Sequence, residues 1–267
     1  MSITVNDGGV LRTLGEISVN DGGVLKKLST VHANTGEVMR QIFSAGTPIS
    51  DVNVGDIVKM RLSSGGSYNF IVVHKGKPSS IYDDSCDGIW ILKETAWKTD
   101  TWFDEGGNNY FPNSNIRYSA DQLYSKIDPA VRPAIKSIKI PYYKAKTEAG
   151  GGGGTVQSGS NGYPCRGFSL SGIEAHANAA IQDGASLPYF NSNAKRICYY
   201  GGEAVKWWTR SPNLNSSPKE TVVLVGKDGG GLVGNGGFMN QYNLFYVRPA
   251  FILSYSAKVD KNNYIVA

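Results

Sequence analysis

The chain has 267 residues, of which 40% are hydrophobic and 18% charged. It is too apolar for a disordered polyelectrolyte and too weakly charged for a coiled coil, and it is long enough for one large or two modest domains. No apolar run nears the roughly 18 residues of a membrane span, the first residues lack the basic and apolar regions of a secretion signal, and three Cys without CxxC spacing argue for buried thiols in a reducing compartment rather than a disulfide framework or zinc site.

The chain begins with a repeat of period 14. ITVNDGGVLRTL (3–14) recurs as ISVNDGGVLKKL (17–28), and a worn copy, VHANTGEVMRQI, spans 31–42. Each unit reads strand, tight turn, strand, with Asn-Asp-Gly-Gly supplying the positive φ of a hairpin turn. An isolated hairpin is marginal in water, so residues 1–43 read as an attachment or oligomerisation module that leans on copies of itself or on another protein. The small residues of 44–48 read as a linker, and 49–267 as the second domain.

In that domain, 54–62 and 68–74 are expected strands around the turn Ser63–Ser67, and 88–92 is a short buried strand. Ser119-Ala-Asp-Gln122 is a capping box that predicts a helix through Ile127, and Ser171-Gly-Ile-Glu174 predicts a second helix ending near Gly184. The glycine run 150–154 lacks the Lys-Ser/Thr of a phosphate loop and reads as a surface loop. Short strands follow at 205–208, 221–225, 231–233 and 246–253. Residues 116–146 hold seven Lys/Arg against two Asp, the whole of the net charge of +5, and read as the solvated side of short helices.

Three blocks carry a resemblance. WWTRSP (207–212), VRPA (247–250) and FSLSGIE (168–174), supported by DGIWIL (87–92) and IKIPY (138–142), resemble a bacterial and phage domain family of unassigned function. That family is similar to the C-type-lectin-like fold, in the branch of formylglycine-generating enzymes and of the variable proteins of diversity-generating retroelements. The resemblance implies an α+β fold over roughly 48–256: short twisted antiparallel strands, two helices and long ligand-bearing loops, preceded by the all-β repeat module. The N-terminal repeats resemble the front ends of phage tail or baseplate proteins. Neither the paired cysteines of formylglycine-generating enzymes nor the calcium motifs of lectins are present.

The chemistry-bearing residues point the same way. His32, His74 and His176 neighbour no relay partner, and Asp83-Asp84-Ser-Cys-Asp87 lacks calcium-loop spacing, so no catalytic residue, metal or cofactor is expected. Arg210 and Arg248 precede Ser-Pro and Pro-Ala turns and read as structural ties between loop carbonyls. Of Trp207 and Trp208, adjacent on a strand, one is expected in the core and one partly exposed. Asn, Ser, Gly and aromatic residues concentrate at 213–217, 235–246 and 108–111, a composition resembling antibody paratopes. The expected ligand contacts are Asn213, Asn215, Asn235, Phe238, Asn240, Tyr242, Asn243 and Tyr246, with Asn109 and Tyr110 beside them. These loops are also candidates for retroelement diversification. The expected function is that of a phage or prophage tail-tip receptor-binding protein, carried on the virion as a homotrimer. Its partners would be a host-surface protein or glycan, plus tail proteins through residues 1–43, with no nucleic acid and no membrane insertion. The alternatives are a formylglycine-generating or glycan-cleaving enzyme, and a purely structural baseplate or decoration protein.

Overall fold

A computed structural model describes residues 3–7, 10–14, 18–21, 24–27, 30–34, 39–44, 46–101, 103–104, 109–145, 153–177, 181–213, 222–232 and 245–267. The repeat folds as three separate antiparallel hairpins. Ile3–Asp7 pairs with Val10–Leu14, and Ser18–Asp21 with Val24–Lys27, each bridging two glycines in the same register. The worn copy pairs Thr30–Asn34 with Met39–Ser44 across a longer connection and a register shift. Thr47–Pro48 is already an edge strand of the following domain. It pairs with Lys258–Val259, which pairs in turn with Ile265–Val266.

The domain centres on a five-stranded antiparallel sheet in the order Gly167–Ser169, Pro249–Leu253, Ile89–Lys93, Ser67–Lys75, Ile57–Arg61. The central strand, IWILK, is buried at every position. An alternating apolar/polar strand faces core on one side only; an unbroken apolar run needs core on both. Trp90 and Leu92 join Val73, Phe168, Ile252 and both Trp207 and Trp208 on one face. Ile89 and Ile91 join Phe70, Phe251 and Leu123 on the other. A second five-stranded sheet, Lys98–Thr101, Phe245–Val247, Trp207–Pro212, Val222–Val225, Gly231–Leu232, contains one parallel pair, Trp207 opposite Tyr246. The expected single strand 246–253 is thus divided between two sheets. The break falls at Arg248, followed by Pro249, which has no N–H for a ladder.

The expected α+β, C-type-lectin-like architecture is overturned. Small sheets dominate, and the described residues form only two α-helices, Asn115–Lys126 and the single turn Asn193–Arg196. The longer helix starts before Ser119. Ser114 is its N-cap and accepts from the Arg117 N–H at 3.3 Å. Ile116, Ala120 and Leu123, spaced by four and three, are its buried face. The expected helix from Ser171 is absent. Its capping box is present in full, Glu174 N–H to Ser171 Oγ at 3.1 Å and Ser171 N–H to Glu174 Oε2 at 2.8 Å. The chain nevertheless makes only turns over 171–177. His176 adopts φ of 51°, a left-handed value that ends helical propagation at once.

Gly229 fixes the turn between Val222–Val225 and Gly231–Leu232 against the short helix. Its φ is +75°, and a Cβ there would lie 1.9 Å from the Asn193 carbonyl oxygen. Gly201 is also left-handed, at φ of +58°, but faces open space. Gly201→Ala therefore carries only the backbone cost, about 1 kcal/mol, whereas Gly229→Ala forces two backbone segments apart and is expected to cost more than about 2 kcal/mol. Urea denaturation of both variants measures the difference. Equal losses would show that the approach of Gly229 to Asn193 is not a constraint.

Candidate functional site

Two of the sequence blocks, 168–174 and 207–212, meet in a buried polar knot. Glu174 and Arg210 are buried at 0% and 1%. The guanidinium forks onto the carboxylate, Nη1 to Oε2 at 2.6 Å and Nη2 to Oε1 at 2.7 Å. Its remaining donors reach the carbonyls of Pro141, Ser169 and Asp183 at 2.9–3.0 Å. Glu174 accepts in addition from the Tyr82 hydroxyl at 2.7 Å. Burial opposes the charge on Arg210, but Glu174 beside it more than offsets this and holds the guanidinium above its ordinary value. Burial, reinforced by the Glu174 charge, pushes the Tyr82 phenol far up, so it stays a donor.

A second buried carboxylate lacks a cation of its own. Asp183, 0% exposed, accepts from Ser211 Oγ at 2.6 Å, and Ser211 Oγ accepts from the Gly172 N–H at 2.8 Å. Among the described residues Asp183 Oδ2 has no hydrogen-bond partner. Burial raises its carboxyl to about 6, against the opposing pull of Arg210.

Arg248, 1% exposed, ties the crossover between the two sheets. It donates to the carbonyls of Lys93 at 2.8 Å and Glu94 at 3.0 Å and lies over the Trp207 ring. Both tryptophans are buried, which corrects the expectation of one exposed face. Their strand lies between layers: Trp207 donates to the Arg196 carbonyl at 3.0 Å, and Trp208 packs edge-on against Phe103 and Phe245.

The aromatic series Phe103, Trp208, Phe245 leads outward to a surface where tyrosines are open to solvent. The hairpin Cys198–Tyr200 and Glu203–Val205 turns at Gly201-Gly202, both with positive φ. Adjacent strand residues point to opposite faces, yet Tyr199 is 48% and Tyr200 43% exposed, so the hairpin is wetted on both sides. The Tyr200 ring lies 5.2 Å from half-buried Tyr246, and the Lys206 ammonium lies over Phe245. Sequence reasoning missed Tyr199 and Tyr200. The available signal was two aromatics directly before a Gly-Gly turn, a position where a core side chain has little to pack against.

Of the expected ligand contacts, Tyr246 is at this surface. Asn109 and Asn213 are each 2% exposed and belong to the interior, which corrects their placement on an open face. Tyr110 is half-buried, 6.4 Å from Tyr142. Asn215, Asn235, Phe238, Asn240, Tyr242 and Asn243 lie outside the described residues. Among the described residues no group of three or more His, Cys, Asp or Glu could hold a metal ion. The acidic turn is spent on local contacts: Asp83 caps the Ser85 N–H, Asp84 pairs with Lys77, and Asp87 accepts from Tyr255. Burial pushes the Cys86 thiol up to about 12 and those of Cys165 and Cys198 upward as well, so none is a ready nucleophile at neutral pH. His74, edge-on to Trp90, is held below its ordinary value by burial.

Two predictions follow the knot. Arg210→Lys cannot reproduce the fork and leaves carbonyls and a carboxylate oxygen unpaired in the interior. A loss of about 3–5 kcal/mol in urea denaturation is expected. For Asp183, the unfolded carboxyl titrates near 3.8 and the folded one near 6. Below 3.8 both states are protonated and the buried group is neutral. As pH rises through about 6 the unfolded state is favoured by its lost proton, so this contribution to stability disappears. Asp183→Asn is expected to gain on the wild type between pH 4 and pH 7.5. A difference between the two proteins that does not change with pH would refute the assignment.

No curated protein and no solved structure matches the chain. Residues 87–255 match a family described as a domain of unknown function (DUF6273). That span runs from the buried central strand through the Glu174–Arg210 pair to the sheet crossover at Arg248, and covers more than half of the sequence; the chain belongs to the DUF6273 family.

Proposed function

We propose that the protein is a non-catalytic receptor-binding protein of a phage or prophage tail tip, carried on the virion by its N-terminal hairpins and contacting the host surface through its tyrosine face. The observation that carries this reading is exposed Tyr200 with its ring against half-buried Tyr246, beside exposed Tyr199 on the opposite side of the same hairpin. Tyrosine offers large amphipathic contact area at low entropy cost and is enriched in recognition surfaces. Two adjacent tyrosines before the Gly201-Gly202 turn leave much of their surface in water. Tyr246 is also the last residue of 235–246, the Asn- and aromatic-rich stretch expected to bear further contacts. The repeated hairpins support attachment: each is a separate two-stranded sheet, and two strands alone are marginal in water. Docking on tail proteins, or on two further copies as a trimer, supplies the missing cover.

Tyr200→Ala is expected to lower adsorption to host cells at least tenfold, the loss of a hot spot worth over about 1.4 kcal/mol, with the melting temperature unchanged. Deleting residues 1–43 is expected to give a folded monomer in sedimentation. Unimpaired adsorption of the Tyr200 variant, or a native oligomer after truncation, would overturn the corresponding half of the proposal.

A further inference from the structure

A second surface feature shares no residue with the tyrosine face. A groove of about 310 Å³ runs between the helix Asn115–Lys126 and the strand Tyr163–Cys165, with the Tyr124 ring in its lining. Two guanidinium groups lie over that ring, Arg166 at 5.2 Å and Arg132 at 5.7 Å from its centroid. Their situations differ. Arg132 is committed to the fold, donating from Nε to the Ile127 carbonyl and from Nη2 to the Ser125 carbonyl, where it closes the helix C-terminus. Arg166 is exposed, and among the described residues its guanidinium makes no hydrogen bond or ion pair. The lining also contains one carboxylate, Asp121, but Arg117 already holds it at 2.8 Å. Two further cations of the stretch 116–146 are likewise committed. Lys136 and Lys139 donate to the carbonyls of Asp87 and Ser160. Arg166 is thus a cation with an open fork, set against an aromatic wall.

We propose that this groove binds an oxyanion attached to a polyol, a phosphodiester-linked surface glycan. A guanidinium fork matches two oxygens of a phosphate at once. Arg166 is the cation of the lining, and the one carboxylate there, Asp121, is already paired with Arg117. The Ser137 hydroxyl and the Tyr124 phenol in the lining suit sugar or glycerol hydroxyls. The volume lies at the lower end of small-ligand sites, room for one or two units of a polymer. A nucleic acid fits less well: sequence-tolerant strand binding depends on free aromatic faces for base stacking, and a base on Tyr124 would have to displace a guanidinium.

Calorimetric titration of the full chain at low salt, with poly(glycerol phosphate) as the probe, tests the proposal. Binding is expected, competed by inorganic phosphate and weakened by salt, while uncharged dextran of equal length does not bind. Arg166→Ala is expected to lower affinity at least tenfold, and Arg166→Lys to restore part of it. Because the Arg166 guanidinium makes no hydrogen bond among the described residues and its exposed contact with the Tyr124 ring is worth about 1 kcal/mol or less, the variant should lose no more than about 4 °C in melting temperature. Tyr200→Ala should bind the polymer normally, which separates a failure here from a failure of the tyrosine face. Absence of binding, or an Arg166→Ala protein that binds as the wild type does, would overturn the proposal. So would a single-stranded oligonucleotide of equal charge that binds more tightly than the polymer with the same dependence on Arg166.

Discussion

Removing a guanidinium and a carboxylate from water costs several kcal/mol each, and the mutual attraction of the pair repays this only when the remaining protons and lone pairs are also engaged. Glu174 and Arg210 meet that condition. The demand is what organises the surrounding chain. To satisfy one side-chain pair, Pro141, Ser169, Ser171 and Asp183 must each present a backbone group at a fixed place, and Tyr82 must bring its hydroxyl. Segments with no regular structure of their own are thereby held as firmly as a ladder would hold them. This is how a domain of many short strands keeps long connections in one arrangement.

The same logic explains why the Ser171 turn stops. A helix continuing from Ser171 would carry Asp183 along its axis and away from Arg210. The left-handed step at His176 redirects the chain, so that the Asp183 carbonyl meets the guanidinium and its carboxylate meets Ser211. Asp183 remains the weak point, a buried acid beside an ion pair that already balances itself.

Much of the strand pattern was legible in the sequence, because alternation and β-branched runs act locally. The hairpin repeat and the pair around Ser63–Ser67 follow from period two and turn residues, and the buried strand expected at 88–92 from its unbroken apolar run. The tie of Arg248 to loop carbonyls was legible from the turn that follows it. What was not legible depends on partners far along the chain. Nothing near Ser171 announces that Glu174 will meet an arginine 36 positions later, so a sound capping box pointed to a helix that is not there. Trp207 and Trp208 follow strand alternation, but alternation says only that they face opposite sides, and here both sides are covered. Asn109 and Asn213 look like surface residues by type alone. For the ligand face, composition singled out the loops, whereas two of the exposed tyrosines, Tyr199 and Tyr200, sit on the neighbouring hairpin.

The crossover at Arg248 has a consequence for how the chain reaches this structure. Arg248 grips the Lys93 carbonyl across 155 residues, and Pro249–Leu253 completes the flank of the strand Ile89–Lys93. During synthesis at about 5–20 residues per second, the strands at 57–93 therefore wait several seconds or more with one long apolar edge unpaired. The domain closes late and all at once, around a strand made early. The N-terminal hairpins, whose pairings span about a dozen residues, form long before.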